Sequence, residues 1–231
     1  MQLQVIASGS NGNCYALYAN GEILLLDAGI AVKRIMKAIH YRSRDVVGCL
    51  VTHEHSDHFF GAVKLAESGI PCYGSSGASM KMGTIKRLDK GKIGSFMVRS
   101  VPVLHDAVEP CGWLIRNSKT GETMLYATDT YWLPNSYPGL HYWLIECNYC
   151  EDLIMDEAIK KRLLTTHMSL DNLCKLLKLN DLSQCKKIVL CHISNLRGDY
   201  ERMRSTVQKT TGIPVDIAQA GVTIPLELAP F

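Results

Sequence analysis

Thr52-His53-Glu54-His55-Ser56-Asp57-His58-Phe59-Phe60-Gly61 places three histidines and an aspartate within six residues. The run directly before it, Asp45 to Val51, is apolar and reads as a buried strand. Imidazole and carboxylate together suit zinc, manganese or iron. In an extended segment His53 and His55 project to one side. A helix is expected over residues 59–68 with Ser56 as its N-cap, which offsets Asp57 and His58 toward a second position. One short loop can therefore serve two cations.

Moving outward, apolar strands are expected at residues 3–7, 15–18 and 22–26 before the loop. Further strands are expected at 71–73, 96–103, 112–115, 124–127, 143–146, 187–191 and 214–217 after it. Helical spacing marks 31–39, 153–163, 169–179 and 199–210, the third with Ser169 as N-cap. Two sets of strands, each accompanied by helices, fit an α/β chain of two sheets covered on their outer faces. The order alone also fits a doubly wound sheet. The length and the lack of any linker or repeat predict one domain over residues 1–231.

More ligand-type residues share a placement. Asp27 follows Ile23-Leu24-Leu25-Leu26, His105 follows the strand ending at Val103, Asp129 follows Met124-Leu125-Tyr126-Ala127, and His192 follows Lys187-Ile188-Val189-Leu190-Cys191. Strand ends that meet at one sheet edge would gather them into one site. Of the remaining histidines, His40 is expected at the surface and His141 in a structural role. His167, in Thr165-Thr166-His167-Met168-Ser169, lies beside a helix N-terminus. There it either meets an anion or packs.

Composition bounds the function. With 47% apolar and 20% charged residues, the chain buries a core and is not disordered. A net charge of +3 is mild for a protein that clamps a long duplex. Lys81, Lys86, Arg87, Lys90 and Lys92 are candidates for a patch that tracks a phosphate backbone. So are Lys160, Lys161 and Arg162, and Arg197, Arg202 and Arg204, and solvated faces are the alternative in each case. Nine cysteines, mostly in apolar runs, read as free thiols, and Cys147 with Cys150 lacks a second pair for a structural zinc. No run reaches the ~18 apolar residues of a membrane span, and the first residues lack a basic, apolar leader. A cytoplasmic protein is expected, with no membrane partner. The turn Ser8-Gly9-Ser10-Asn11-Gly12-Asn13 offers backbone N–H groups to a phosphate, or is a tight connection that needs glycine. Ser10, Asn11, Asn13, Asn148 and His167 are the candidate substrate contacts.

The chain resembles the metallo-β-lactamase superfamily, whose HxHxDHxxG signature is matched by His53 to Gly61. That resemblance implies a four-layer αββα sandwich with a dinuclear site at its sheet edges. It implies His53, His55 and His105 on one metal, Asp57, His58 and His192 on the other, and Asp129 bridging them. Asp27 would support the histidine loop without binding metal. The chain is similar in particular to the WalJ/YycJ-like branch, small proteins related to nucleases. The residues that carry this are Ala7 to Asn13, Thr52 to His58, Ala127-Thr128-Asp129-Thr130, Ile145-Glu146-Cys147-Asn148 and His167-Met168-Ser169. The branch commonly shows Ser where Cys147 stands and an acidic residue near Cys150.

The expected activity is phosphodiester hydrolysis of DNA or RNA, exonuclease-like, with two divalent cations, zinc or manganese. A water shared by the cations would ionise near neutral pH. Asp57 would orient that nucleophile, and His167 would protonate the leaving oxygen or hold a phosphate. Competing expectations are a cyclic-nucleotide phosphodiesterase, a lactonase or thioesterase, and a non-catalytic binding protein. A Cys ligand in place of Asp129 would favour a β-lactamase, and Glu in place of His55 a redox di-iron protein. Neither is present. Self-association into a homodimer is compatible with the sequence.

Overall fold

Leu3, Val5, Tyr15, Leu17, Leu24 and Leu26 occupy alternate positions of three successive strands, and all six are fully buried in one shared core. These strands are β1 (Gln2–Ala7), β2 (Cys14–Ala19) and β3 (Glu22–Leu26). The computed structural model describes residues 1–81 and 83–227. The chain continues through β4 (Val46–Val51), β5 (Cys72–Gly74), β6 (Lys86–Arg87), β7 (Lys90–Ile93), β8 (Phe96–Pro102) and β9 (Cys111–Asn117). Then come β10 (Thr123–Ala127), β11 (Tyr142–Glu146), β12 (Lys187–Cys191), β13 (Val215–Ile217) and β14 (Thr223–Pro225). The helices are α1 (Val32–Ala38), α2 (Ser56–Phe59), α3 (Ala62–Glu67), α4 (Ser76–Lys81), α5 (Glu157–Thr166), α6 (Leu170–Lys178) and α7 (Tyr200–Thr211).

Two seven-stranded sheets result, ordered β14-β1-β2-β3-β4-β5-β6 and β13-β12-β11-β10-β9-β8-β7. Their facing sides share a core in which Leu24 and Leu50 of the first sheet join Trp113, Tyr126 and Leu144 of the second. Ile35 and Leu65, on α1 and α3, cover the outer face of the first sheet. Leu173 and Leu177 of α6 and Met203 and Val207 of α7 cover that of the second. This is the αββα sandwich. Each sheet is antiparallel on one side and parallel on the other, with β3, β4, β5 and β6 parallel in the first and β10, β11, β12 and β13 in the second. Parallel strands end at one edge, so the segments after β3, β4, β10, β11 and β12 emerge together. β8 runs antiparallel to β9, which runs antiparallel to β10, so β8 ends at that edge as well.

Several expected elements differ. The helix expected over 59–68 is two short ones, α2 and α3, broken at Phe60-Gly61. A β-carbon on Gly61 would lie 2.3 Å from the Ile30 carbonyl oxygen, so chain crowding fixes the break. Ser56 is the first helical residue and makes no side-chain cap; His55 occupies the N-cap position. The helix expected at 153–163 begins at Glu157, because the Asp156 carboxylate accepts from Ala158 N and Ile159 N. The expectation did not include α4, β6, β7 and β14, which are short and carry little apolar periodicity. No helix among the described residues is long and apolar enough to cross a membrane.

Candidate metal centre

The histidine loop follows β4 and is held by Asp27, which follows β3. One carboxylate oxygen of Asp27 accepts from Thr52 N at 2.8 Å, and the other meets His58 Nδ1 at 2.7 Å. The Tyr126 hydroxyl donates to the same carboxylate from the second sheet. Gly29 makes this packing possible, since a β-carbon there would sit 1.6 Å from the Asp57 carbonyl oxygen. Asp27, Asp129 and His192 all adopt left-handed backbone, with φ of 54°, 46° and 51°. Such residues cost of order 1 kcal/mol each and persist where the surroundings over-determine them. Here all three sit at or just past a strand end and turn a polar side chain into the site.

All seven proposed ligands come together. The ligand atoms of His53, His55, His105 and Asp129 lie within 4.8 Å of one another, and so do those of Asp57, His58, Asp129 and His192. Asp129 belongs to both groups. Its Oδ2 lies 3.5 Å from His53 Nε2, 3.2 Å from His58 Nε2 and 3.6 Å from His105 Nε2, while Oδ1 lies 2.9 Å from His192 Nδ1. Asp57 Oδ2 lies 3.4 Å from His58 Nε2 and 3.6 Å from His192 Nε2.

The donor set fits divalent cations. His53 Nε2 and His192 Nε2 are buried without a hydrogen-bond partner, a cost that a ligand would remove. The Nδ1 atoms are occupied elsewhere: His58 on Asp27, His105 on the Thr166 carbonyl oxygen at 2.9 Å, and His192 on Glu146 at 2.9 Å. That pattern leaves Nε2 of each ring as the ligand atom. Burial holds His53 below the ordinary histidine value, with His58 adding to it and Asp129 opposing. Burial likewise lowers His105, against Asp129. Both are therefore neutral imidazoles, the form that binds metal. Burial opposes charge on His58 and His192, yet the carboxylates around them, Asp129 first, raise both. Burial also opposes ionisation of Asp129, and His192 and His58 overcome it and lower its pKa.

Glu146 was not among the expected site residues. It ends β11 fully buried, and its carboxylate meets His167 Nδ1 at 2.7 Å and His192 Nδ1 at 2.9 Å. It also accepts from Thr130 N at 2.8 Å and Met168 N at 3.2 Å. The available signal was its position: it ends an all-apolar strand, as Asp27, Asp129 and His192 follow theirs. His167 lies between α5 and α6, with its ring stacked on His192 at 5.5 Å between centroids. Against burial, Glu146 raises its pKa. Ser169 caps α6 by accepting from Asn172 N, as expected. His141 bonds Thr123, a structural role, and His40 is exposed.

The candidate substrate contacts divide. Ser10 and Asn11 border open cavities beside Asp57. Asn13 does not: it is fully buried, pairs with Gly9 through N and O, and lies 3.0 Å from His58 Nε2. It closes the turn, so the substrate contact expected for it is withdrawn. Asn148 borders the cleft, but its amide is engaged by the His192 carbonyl at 2.8 Å. Among the basic groups, Arg202 pairs with Asp152 and Arg204 with Glu201, so that cluster is partly neutralised.

Comparisons with known proteins bear on the family and the fold. The family model described as metallo-beta-lactamase superfamily matches residues 7–109. The chain is 29% identical to the exodeoxyribonuclease WalJ of Streptococcus pneumoniae serotype 2, over 92% of this chain and 90% of that one. It is also 29% identical to the exodeoxyribonuclease YycJ of Bacillus anthracis, over 90% and 88%. Its fold is similar to the metallo-beta-lactamase fold protein YhfI of Bacillus subtilis, with TM-score 0.74, 16% identity, and 97% and 99% of the two chains covered. The short form of human tRNase Z gives TM-score 0.70 at 16% identity, covering 98% and 100%.

Proposed function

We propose that the chain is a member of the metallo-beta-lactamase superfamily, whose model matches residues 7–109, and that, like the exodeoxyribonucleases to which it is 29% identical, it is a metal-dependent exonuclease that hydrolyses phosphodiester bonds of DNA. The observation that carries the reading is Asp129 shared between two histidine–carboxylate groups, with unpartnered nitrogens of His53 and His192 in them. His53, His55, His105 and Asp129 would hold one divalent cation, and Asp57, His58, Asp129 and His192 a second, zinc or manganese. When bound, these ions supply positive charge that polarises the phosphate and favours hydroxide over water near neutral pH.

The residues of the chain itself do the rest. The 22%-exposed Asp57 side chain lines the cleft, where its carboxylate orients the attacking water. His167 is held by Glu146 through Nδ1, which aims Nε2 at the cleft. As the new P–O bond forms and the old one breaks, the proton on Nε2 passes to the leaving oxygen. Ser10 and Asn11 are placed to meet a phosphate oxygen. The free thiols suit a reducing compartment, and we place the enzyme in the cytoplasm. The test is incubation of manganese- and zinc-loaded protein with end-labelled DNA, RNA and a panel of cyclic nucleotides. Mononucleotide release from DNA is expected. Turnover of cyclic nucleotides alone, with DNA and RNA intact, would overturn the reading.

A further inference from the structure

Resting on that reading, we propose that the cleft grips a single-stranded DNA end, with an unstacked base on Phe60 and flanking phosphates on Arg34, Arg162 and Arg197. The histidine-lined cavity, of ≈ 510 Å³, has Arg162 and Arg197 on its wall. A second cavity, of ≈ 420 Å³, is bounded by Arg34, Ser56 and Phe60. Ser10 and Asp57 line both, so the two cavities adjoin at the carboxylate that orients the nucleophile, and a bound strand could pass from one to the other across it.

The cations of these cavities are uncommitted. Ion pairs engage Arg42, Arg87, Arg202 and Arg204 elsewhere. Among the described residues, no ion pair engages Arg34, Arg162 or Arg197. The acids that face the cavities are Asp57, Asp129 and Asp106. The first two belong to the metal groups, and Asp106 lies 3.3 Å from His105. Guanidinium groups on both sides of an anionic centre suit a chain of phosphates that enters at one side and leaves at the other.

Phe60 supplies the second, independent observation. It is 64% exposed, although its backbone is fixed: the next residue, Gly61, donates its N–H to the Ala28 carbonyl at 2.6 Å and leaves no room for a β-carbon. Asp57 and Phe60 are three residues apart across one helical turn, which sets them on the same side. The result is a largely exposed aromatic ring on a fixed backbone, beside the Asp57 carboxylate. Inside a duplex both faces of a base are covered by neighbours, so such a ring meets only an unstacked base.

The experiment measures binding of fluorescein-labelled oligothymidylate, an abasic oligomer of the same length and charge, and a blunt duplex to metal-stripped full-length protein, by anisotropy across a salt series. The wild-type protein is expected to bind oligothymidylate roughly tenfold more tightly than the abasic oligomer, and the duplex more weakly than the single strand. Phe60→Ala should bring the base-bearing to abasic ratio near one, and Phe60→Trp should keep it. The double variant Arg162→Gln, Arg197→Gln should flatten the dependence of log Kd on log salt by about 0.7 per lost phosphate contact. A ratio unchanged in Phe60→Ala, an equal affinity for the blunt duplex, or an unchanged salt slope in the double variant overturns the proposal. Failure of the metal-loaded wild-type protein to cleave any phosphodiester overturns the exonuclease reading instead, and the binding ratio still decides the cleft.

Discussion

Asp27 belongs to the first sheet and Glu146 to the second, and each is a fully buried carboxylate that holds histidines by Nδ1. Their other partners differ. Asp27 spends its remaining capacity on neutral donors: Thr52 N, the Thr52 hydroxyl, and the Tyr126 hydroxyl from the opposite sheet. Glu146 takes two backbone N–H groups and two histidines, His192 of the metal groups and His167 of the cleft wall. The first half of the site is thus fixed mainly by neutral donors, beside the single Asp27–His58 pair in which Asp27 also helps raise the histidine's pKa. The second is fixed more by charge, since burial opposes ionisation of Glu146 and His167 with His192 overcomes it, lowering its pKa.

The largest effect joins the halves. Asp129→Ala removes the carboxylate common to both ligand groups, so both cations should be lost and DNA cleavage should fall to background. Metal content by mass spectrometry after dialysis checks this, and a variant that keeps two metals and full turnover breaks the shared-ligand geometry. His167→Ala acts on the second half alone. It should keep both metals while kcat on DNA falls by about 10²–10⁴-fold, the usual worth of a positioned proton donor. Metal loss in that variant would make His167 a ligand, an arrangement within reach because Asp129, Glu146, His167 and His192 also cluster.

Asp27→Asn and Glu146→Gln test the comparison itself. Each replaces the anionic acceptor behind a ligand histidine by a neutral amide, so each should weaken metal affinity by about 10–100-fold in a chelator competition. They should part in their pH profiles. His167 has a folded-state pKa raised by Glu146 against burial, so it stays protonated above the ordinary histidine value of about 6.5. Activity that needs this proton is present at low pH and lost as pH rises through the raised pKa. Glu146→Gln should move that alkaline limb to lower pH, and Asp27→Asn should leave it in place. Equal displacement in both variants would dissolve the distinction between a half set mainly by neutral donors and one set more by charge.

Legibility in the sequence followed the same divide. The first half was readable because His53, His55, Asp57 and His58 are neighbours in the chain, so spacing alone brings them together. The scattered residues His105, Asp129 and His192 were readable because each follows an apolar strand, and strand ends meet at one edge. Glu146 escaped because it is the last residue of its strand and so falls inside the apolar run. Its importance comes from His167 and His192, which are 21 and 46 residues away. Asn13 was misplaced for a related reason: a polar residue in a Gly-rich turn looks like a phosphate contact until the second loop closes over it and buries it completely. The break at Phe60-Gly61 depends on the approach of Ile30, a contact that local periodicity does not carry.

The smallest effect concerns how His167 is held. Ser169, fully buried two residues on, caps α6: its hydroxyl accepts from Asn172 N at 3.1 Å and donates to Glu151 at 2.9 Å. Ser169→Ala leaves both partners unmet and should cost about 1 kcal/mol, a Tm lower by roughly 2–4 °C for a chain of this size. The backbone around His167 is stitched independently, with Asn148 N donating to the Met168 carbonyl at 2.8 Å and Leu170 N to the Tyr149 carbonyl at 2.9 Å. Glu146 supplies the side-chain anchor. Position of the ring therefore does not depend on the cap, and kcat on DNA should stay within about twofold of wild type, well under the 1.4 kcal/mol that a tenfold change requires. A fall in kcat as large as that of His167→Ala, with metal content intact, would show that the helix start sets the ring, and that the second half of the site rests on neutral hydrogen bonds as much as the first.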